Sequence, residues 1–136
     1  MSTLSDLVHE HAASSEADIE WLHLLIADGQ LIADLAFADI VLWVPAAEGS
    51  FVAVAHQRPS SSATLFYRDF VGQEIRPEWR DQVSEAYSTR SIVDSSTPDW
   101  YEETPTRLRA IPVLSRDAGG KGGSEHPIAV MTRHTN

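Results

Sequence analysis

Five consecutive apolar residues, "IVLWV" from Ile40 to Val44, constrain this chain more than any other stretch. The run is rich in β-branched and aromatic side chains, so it reads as a strand. A strand points successive side chains to opposite faces, so this one has to be covered on both. The residues around it must therefore build a sheet with apolar material on either side.

The flanking sequence supplies those parts in order. "AAEGS" is a turn at Gly49, and "FVAVAHQR" is a second strand that closes a hairpin. "PSSSAT" is a loop, "LFYRDF" a shorter strand, and "VGQEIRP" a turn. Pro77 suits the first turn of a helix over 77–89, whose apolar side carries Trp79, Val83, Ala86 and Tyr87. "SIVDSS" is a brief strand, and "TPDWYEETP" an irregular acidic loop holding Pro98 and Pro105. "TRLRAIPVLSR" is a strand in which Pro112 argues for an edge or a bulge. After the loop "DAGGKGGSE", "PIAVMTRH" is the last strand, with Val130 and Thr132 on one side and Ala129, Met131 and Arg133 on the other.

Upstream of the strand run, Leu4, Leu7, Val8 and His11 have short helical spacing. Ser15 and Asp18 resemble a capping box opening a helix over 17–36. In that helix Ile19, Leu22, Ile26, Gly29, Ala33 and Ala36 form one stripe, and Trp21, Leu25, Ile32 and Leu35 a second beside it. One sheet face covers one stripe well. The other predicts either a two-fold partner or the Leu4–His11 segment folded back on Trp21 and Leu25. Gly29 costs about 1 kcal/mol of helix propensity relative to Ala and suits a close approach. Short turns between strands imply antiparallel pairing, and the grouped helices imply an α+β class: a central antiparallel sheet of five or six strands flanked by helices.

Composition narrows function. The chain has 136 residues, suited to one domain, and no cysteine, which excludes thiolate metal sites and cysteine nucleophiles. Ten basic residues face twenty acidic ones, a net charge of -10 that argues against nucleic acid and anionic lipid as partners. No apolar run reaches the ~20 residues of a membrane span. The acidic N-terminus lacks the form of a signal or transit peptide, so a cytoplasmic location is expected.

Catalytic patterns are absent. The glycines of 119–123 precede no helix and make a loop tip rather than a phosphate cradle. His56, His126 and His134 have no metal-ligand spacing and read as surface or strand-end residues. No serine sits in a nucleophile elbow. The segment is expected to catalyse nothing itself. A small-ligand pocket between the sheet and the 58–75 segment is the best site, with Trp43, His56, Arg58, Tyr67 and Arg109 as its walls. Aromatic and guanidinium groups together suit an anionic, planar ligand such as a nucleotide.

The blocks "EWLHLLIADGQLIADLAFADIVLWVP", "VAVAHQRP", "VGQEI", "PDWYEETPTRLRAIPV" and "PIAVMTRHTN" resemble, in order, the N-terminal GAF-like sensor domain of cytosolic sensor histidine kinases of high-GC bacteria. The likeness spans Leu4 to Asn136. It implies a GAF-like fold followed by a PAS domain and by phosphoacceptor and ATPase domains. It also implies a homodimer, ATP as a cofactor of the parent kinase only, and phosphotransfer to a response regulator, often one with an RNA-binding antiterminator module. The family continues past "TRHTN", which implies that Asn136 is a boundary within a longer protein. Two positions depart from the family: Gly29 stands where a large aromatic is common, and "RPSSSAT" replaces a loop closer to Arg-Pro-Asn-Thr-Gly-Pro-Thr. The rival readings are a ligand-free dimerisation scaffold and a free-standing small-molecule-binding protein.

Overall fold

The computed structural model describes residues 16–36, 38–59, 70–95, 99–101, 104–115 and 126–135. Helices α1 (Glu16–Ala27) and α2 (Gly29–Ala36) precede β1 (Asp39–Pro45) and β2 (Phe51–Gln57). Helix α3 (Pro77–Thr89) follows, then β3 (Val93–Asp94), β4 (Asp99–Tyr101), β5 (Thr104–Leu114) and β6 (Pro127–Thr135). The strands run in the order β2-β1-β6-β5-β3, with β4 on β5 off this path. Among the described residues every pairing of these strands is antiparallel. The α+β class and the flanked antiparallel sheet expected from the sequence are both present.

The Ile40–Val44 run is interior to this sheet, flanked by β2 and β6. Its alternation splits it between two cores. Val41 and Trp43 join Trp79, Val83 and Ala86 of α3, together with Phe51, Phe70, Leu108 and Val130. Leu42 and Val44 join Ile19 and Leu22 of α1, together with Val52, Val54, Val113 and Ala129. Each fully buried side chain of this size contributes roughly 1.5–3 kcal/mol. Val130 and Ala129 also separate to opposite cores, as the alternation of the last strand requires.

Local chemistry explains how the elements begin and end. The β1–β2 connection is a short 3-10 turn at Ala47–Gly49, where Glu48 and Gly49 take left-handed φ values of 59° and 74°. The Ala46 N–H donates to the Ser50 carbonyl across it at 2.8 Å. Pro77 occupies the first turn of α3, where its missing N–H removes no helical bond. Arg90 ends the helix in the left-handed region, its N–H donating to the Ala86 carbonyl. From the middle of α3, Gln82 Nε2 donates to the Val93 and Leu108 carbonyls at 2.7 and 2.8 Å, which ties the helix to β3 and β5.

Several expectations change in detail. The helix predicted over 17–36 is two helices joined by a turn at Asp28. The second apolar stripe does not wait for an outside cover. Trp21 and Leu25 pack on the α1-side core, and the Trp21 indole Nε1–H donates to the Leu114 carbonyl at 3.2 Å. The close approach at Gly29 is likewise internal, because a Cβ there would meet Gln57 Cγ at 2.8 Å. The acidic loop expected at 97–105 contains β4, which pairs Asp99–Tyr101 with Thr104–Thr106. Pro112 pairs with Val130 at a point past the end of β3, so its outer side has no strand partner among the described residues, and a register shift follows at Val113/Leu114. The Ser15 half of the capping box, the Leu4–His11 segment and the strand expected at 65–69 lie outside the described residues.

Candidate functional site

The sheet surface beneath α3 holds a buried polar network. Asp39, at the start of β1, is buried and its Oδ2 lies 2.9 Å from His56 Nε2. Thr132 and His134 lie on the same face of β6, and Thr132 Oγ1 is 2.7 Å from His134 Nε2. The Trp43 indole Nε1–H donates to Thr132 Oγ1 at 2.8 Å. Aromatic rings seal the group: Trp79 lies 4.7 Å from His134 and 6.2 Å from Trp43, and Phe70 lies 5.5 Å from His56. The Arg76 guanidinium caps Trp79 at 4.9 Å. Burial pushes His134 down to about 3; repulsion from His56 and Arg76 works the same way and attraction by Asp39 opposes it. His134 is therefore neutral at ordinary pH.

A bulge delivers His56 to this network. The β1–β2 register slips between Leu42 and Trp43, so that Ala55 pairs with Leu42 and Ala53 with Trp43, leaving Val54 as an extra residue. Strict alternation from Phe51 and Ala53 would send His56 to the α1 side. The extra residue reverses the parity and turns the imidazole onto Asp39, as bulges commonly re-aim a side chain. It also sends Gln57 to the other side, against Gly29. The expectation of strand-end or surface histidines holds for His126, whose side chain is 56% exposed, and fails for His56 and His134, whose side chains are buried.

A second polar cluster lies on the opposite sheet face. Cross-strand register sets Arg109 against Arg133 and Arg107 against Thr135, with Asp94 of β3 on the other side of Arg109. These residues, with Ser95 and Leu108, line a cleft of about 280 Å³. Arg109 makes a two-point bond to Asp94, Nε to Oδ1 at 2.7 Å and Nη2 to Oδ2 at 3.1 Å. The hydrogen bond from Arg109 holds the Asp94 carboxyl below its ordinary range, and the same bond raises Arg109.

The five residues predicted to share a pocket are thus distributed. Trp43 and His56 converge on Phe70 beneath α3. Arg109 sits across the sheet from them. Arg58 follows the end of β2, where its carbonyl accepts from Gln30 Nε2 at 2.6 Å. Tyr67 lies outside the described residues. Sequence reasoning missed Asp39, Thr132 and His134, although Val130, Thr132 and His134 share one face by simple alternation. It also missed Arg107 and Arg133, each related to Arg109 by the spacing or pairing of β5 and β6. Among the described residues no group of three or more His, Asp or Glu is placed to hold a metal ion.

Comparison with known proteins adds identity to this geometry. The family described as "Histidine kinase PdtaS, GAF domain" matches residues 4–136. The sensor histidine kinase PdtaS of Mycolicibacterium smegmatis is 35% identical over 135 residues, which cover 99% of this chain and 26% of that protein. PdtaS of Mycobacterium tuberculosis is 36% identical over 88 residues, 65% of this chain and 18% of that protein. The chain therefore spans about a quarter or less of the length of these curated relatives. A solved sensor region of a sensor histidine kinase superposes with a TM-score of 0.69 and 28% identity, covering 100% of this chain and 43% of that one.

Proposed function

The chain belongs to the PdtaS GAF-domain family of sensor histidine kinases, and on that premise we propose that residues 1–136 are one cytoplasmic sensory unit of a longer two-component kinase. The observation that carries the reading is a family match running from residue 4 to residue 136. In this reading the parent chain adds a PAS domain and an ATP-dependent protein-histidine kinase. This segment regulates autophosphorylation and phosphotransfer to a response regulator that carries an antiterminator-type output module. No helix among the described residues is long and apolar enough to cross a membrane.

The ligand in this reading is a small molecule, a nucleotide being one fit, held between the sheet and the 58–75 segment. Trp43 and His56 would form its floor, with Arg58, which follows β2, as a source of positive charge. The meeting of Trp43 and His56 at Phe70 supports this location. The test is ATP-dependent autophosphorylation of the full-length kinase, compared with a form lacking residues 1–136 and with His56→Gln. Altered rates in both are expected; unchanged rates on deletion would overturn the regulatory role. The isolated segment is expected to take up no labelled phosphate.

A specific observation favours a second reading, a ligand-free dimerisation scaffold: Trp43 is only 1% exposed and its indole N–H is already satisfied. Both readings use a homodimer. Its support on the surface is Leu24 and Leu31, 53% and 60% exposed, on the two successive helices either side of the Asp28 turn. Sedimentation of the wild type against Leu24→Glu/Leu31→Glu is expected to show a dimer that the double variant loses. A wild-type monomer at high concentration would end the dimer reading for this segment.

A further inference from the structure

Three of the ten basic residues of a chain with net charge -10 converge on one cleft, on the face of the sheet away from Trp43 and His56. Arg109 and Arg133 stand directly opposite each other on β5 and β6, and like charges in that position destabilise an antiparallel pair. Among the described residues one carboxylate lines the cleft, Asp94, and it is already taken by Arg109 in a two-point bond. Three guanidiniums against one carboxylate leave a formal excess of two positive charges. Arg133 Nε is buried with no hydrogen-bond partner among the described residues, a donor that costs stability until a group reaches it.

We propose that the cleft between β3, β5 and β6 binds a small soluble phosphate-bearing dianion, held by Arg107 and Arg133 beside an Arg109 fixed in place by Asp94. Guanidinium forks match phosphate oxygens in two-point contacts, and an anion between Arg109 and Arg133 turns their repulsion into shared attraction. Thr135 lines the same cleft and offers a hydroxyl. A volume of about 280 Å³ lies at the small end of ligand sites, which start at ~300 Å³. It admits a phosphate head with a short stem. The acidic surface as a whole opposes long polyanions and anionic bilayers. This site goes beyond the reading above, and its test does not involve kinase activity.

The test is titration of the 136-residue chain with inorganic phosphate at constant ionic strength, followed through the arginine Nε–H resonances. Saturable binding is expected, with the Arg133 and Arg107 signals moving together. Arg133→Gln and Arg107→Gln should each weaken binding about tenfold through loss of a charged hydrogen bond. Arg107 is exposed, so its variant keeps the test sound if Arg133→Gln folds poorly. Asp94→Asn should tighten binding about threefold by removing the competing carboxylate, a gain that a purely structural ion pair would not produce. Non-saturable shifts, or equal affinity in the wild type and Arg107→Gln, would overturn the proposal. So would Arg107-dependent flotation on phosphatidylglycerol vesicles without any binding of free phosphate, since that assigns the cleft to a membrane headgroup.

Discussion

Beneath α3, three contacts join buried polar side chains: Asp39 with His56, Thr132 with His134 and Thr132 with the Trp43 indole. On the other face, at the β3–β5–β6 end, the polar groups are cationic and open to a cleft. Strand β6 serves both sets, with Thr132 and His134 in the first and Arg133 and Thr135 in the second. Leu108 and Ala110 of β5 lie in the α3-side core while Arg107 and Arg109 point the other way. The difference teaches that one strand can serve a rigid interior and a reactive surface at once, because its period of two keeps them apart. It also separates two kinds of mutational effect. Loss of buried rings on the α3 face should alter stability most, and changes on the arginine face should alter phosphate binding with little effect on stability.

The largest expected effect tests the dense side. Trp79→Ala removes a fully buried ring that touches Trp43, Phe70 and His134. It should cost ~3–5 kcal/mol in urea unfolding, whereas Leu31→Ala on the exposed helix surface should stay within ~0.5 kcal/mol. Similar small losses in both would break the contrast.

Next comes the polar pairing. Asp39→Ala leaves the buried His56 imidazole without its carboxylate and should cost ~1–3 kcal/mol, with Asp39→Asn costing less because an amide can still bond. A neutral Asp39→Ala would show that the network does not depend on this carboxylate.

The pH dependence sharpens the comparison further. His134 is held down to about 3 in the folded chain, against an ordinary value of 6.5. The unfolded chain therefore binds the proton first as pH falls. His134 disfavours folding progressively from pH 6.5 down toward 3, and stability rises with pH across that window. The slope from this group is at most ~1.4 kcal/mol per pH unit. Thermal unfolding of His134→Asn is expected to vary less with pH than the wild type between about pH 4 and 6. An unchanged profile would mean that His134 is protonated inside the fold.

The smallest effect concerns the α2 contact. Gly29→Ala gains helix propensity of about 1 kcal/mol and loses clearance to Gln57 Cγ, 2.8 Å from the new Cβ. In the native background the two should nearly cancel. In a Gln57→Ala background Gly29→Ala should stabilise by up to ~1 kcal/mol. Equal effects in both backgrounds would show that Gln57 is not the restricting neighbour.

Much of the architecture was legible from local pattern. The apolar run at Ile40–Val44, Pro77 and the Trp79–Val83–Ala86 spacing lead to a central strand and its covering helix, and both are present. The last strand divides Val130 from Ala129 as its alternation demands. The break at Asp28 was less legible, because the apolar spacing runs through it without a proline. β4 was hidden because a three-residue stretch, "DWY", directly after Pro98 looks the same in a loop as in a short hairpin.

The candidate sites were legible as residue types and not as places. Sequence alone determined the acidic charge balance, the absence of cysteine, the two-faced central strand and the family, since these depend on composition and on order along the chain. Tertiary structure decided which polar residues meet. One extra residue at Val54 swings His56 onto Asp39, and the β5–β6 register sets Arg109 against Arg133. Each outcome depends on the register between separate strands, where a slip of one residue would send every side chain to the other face.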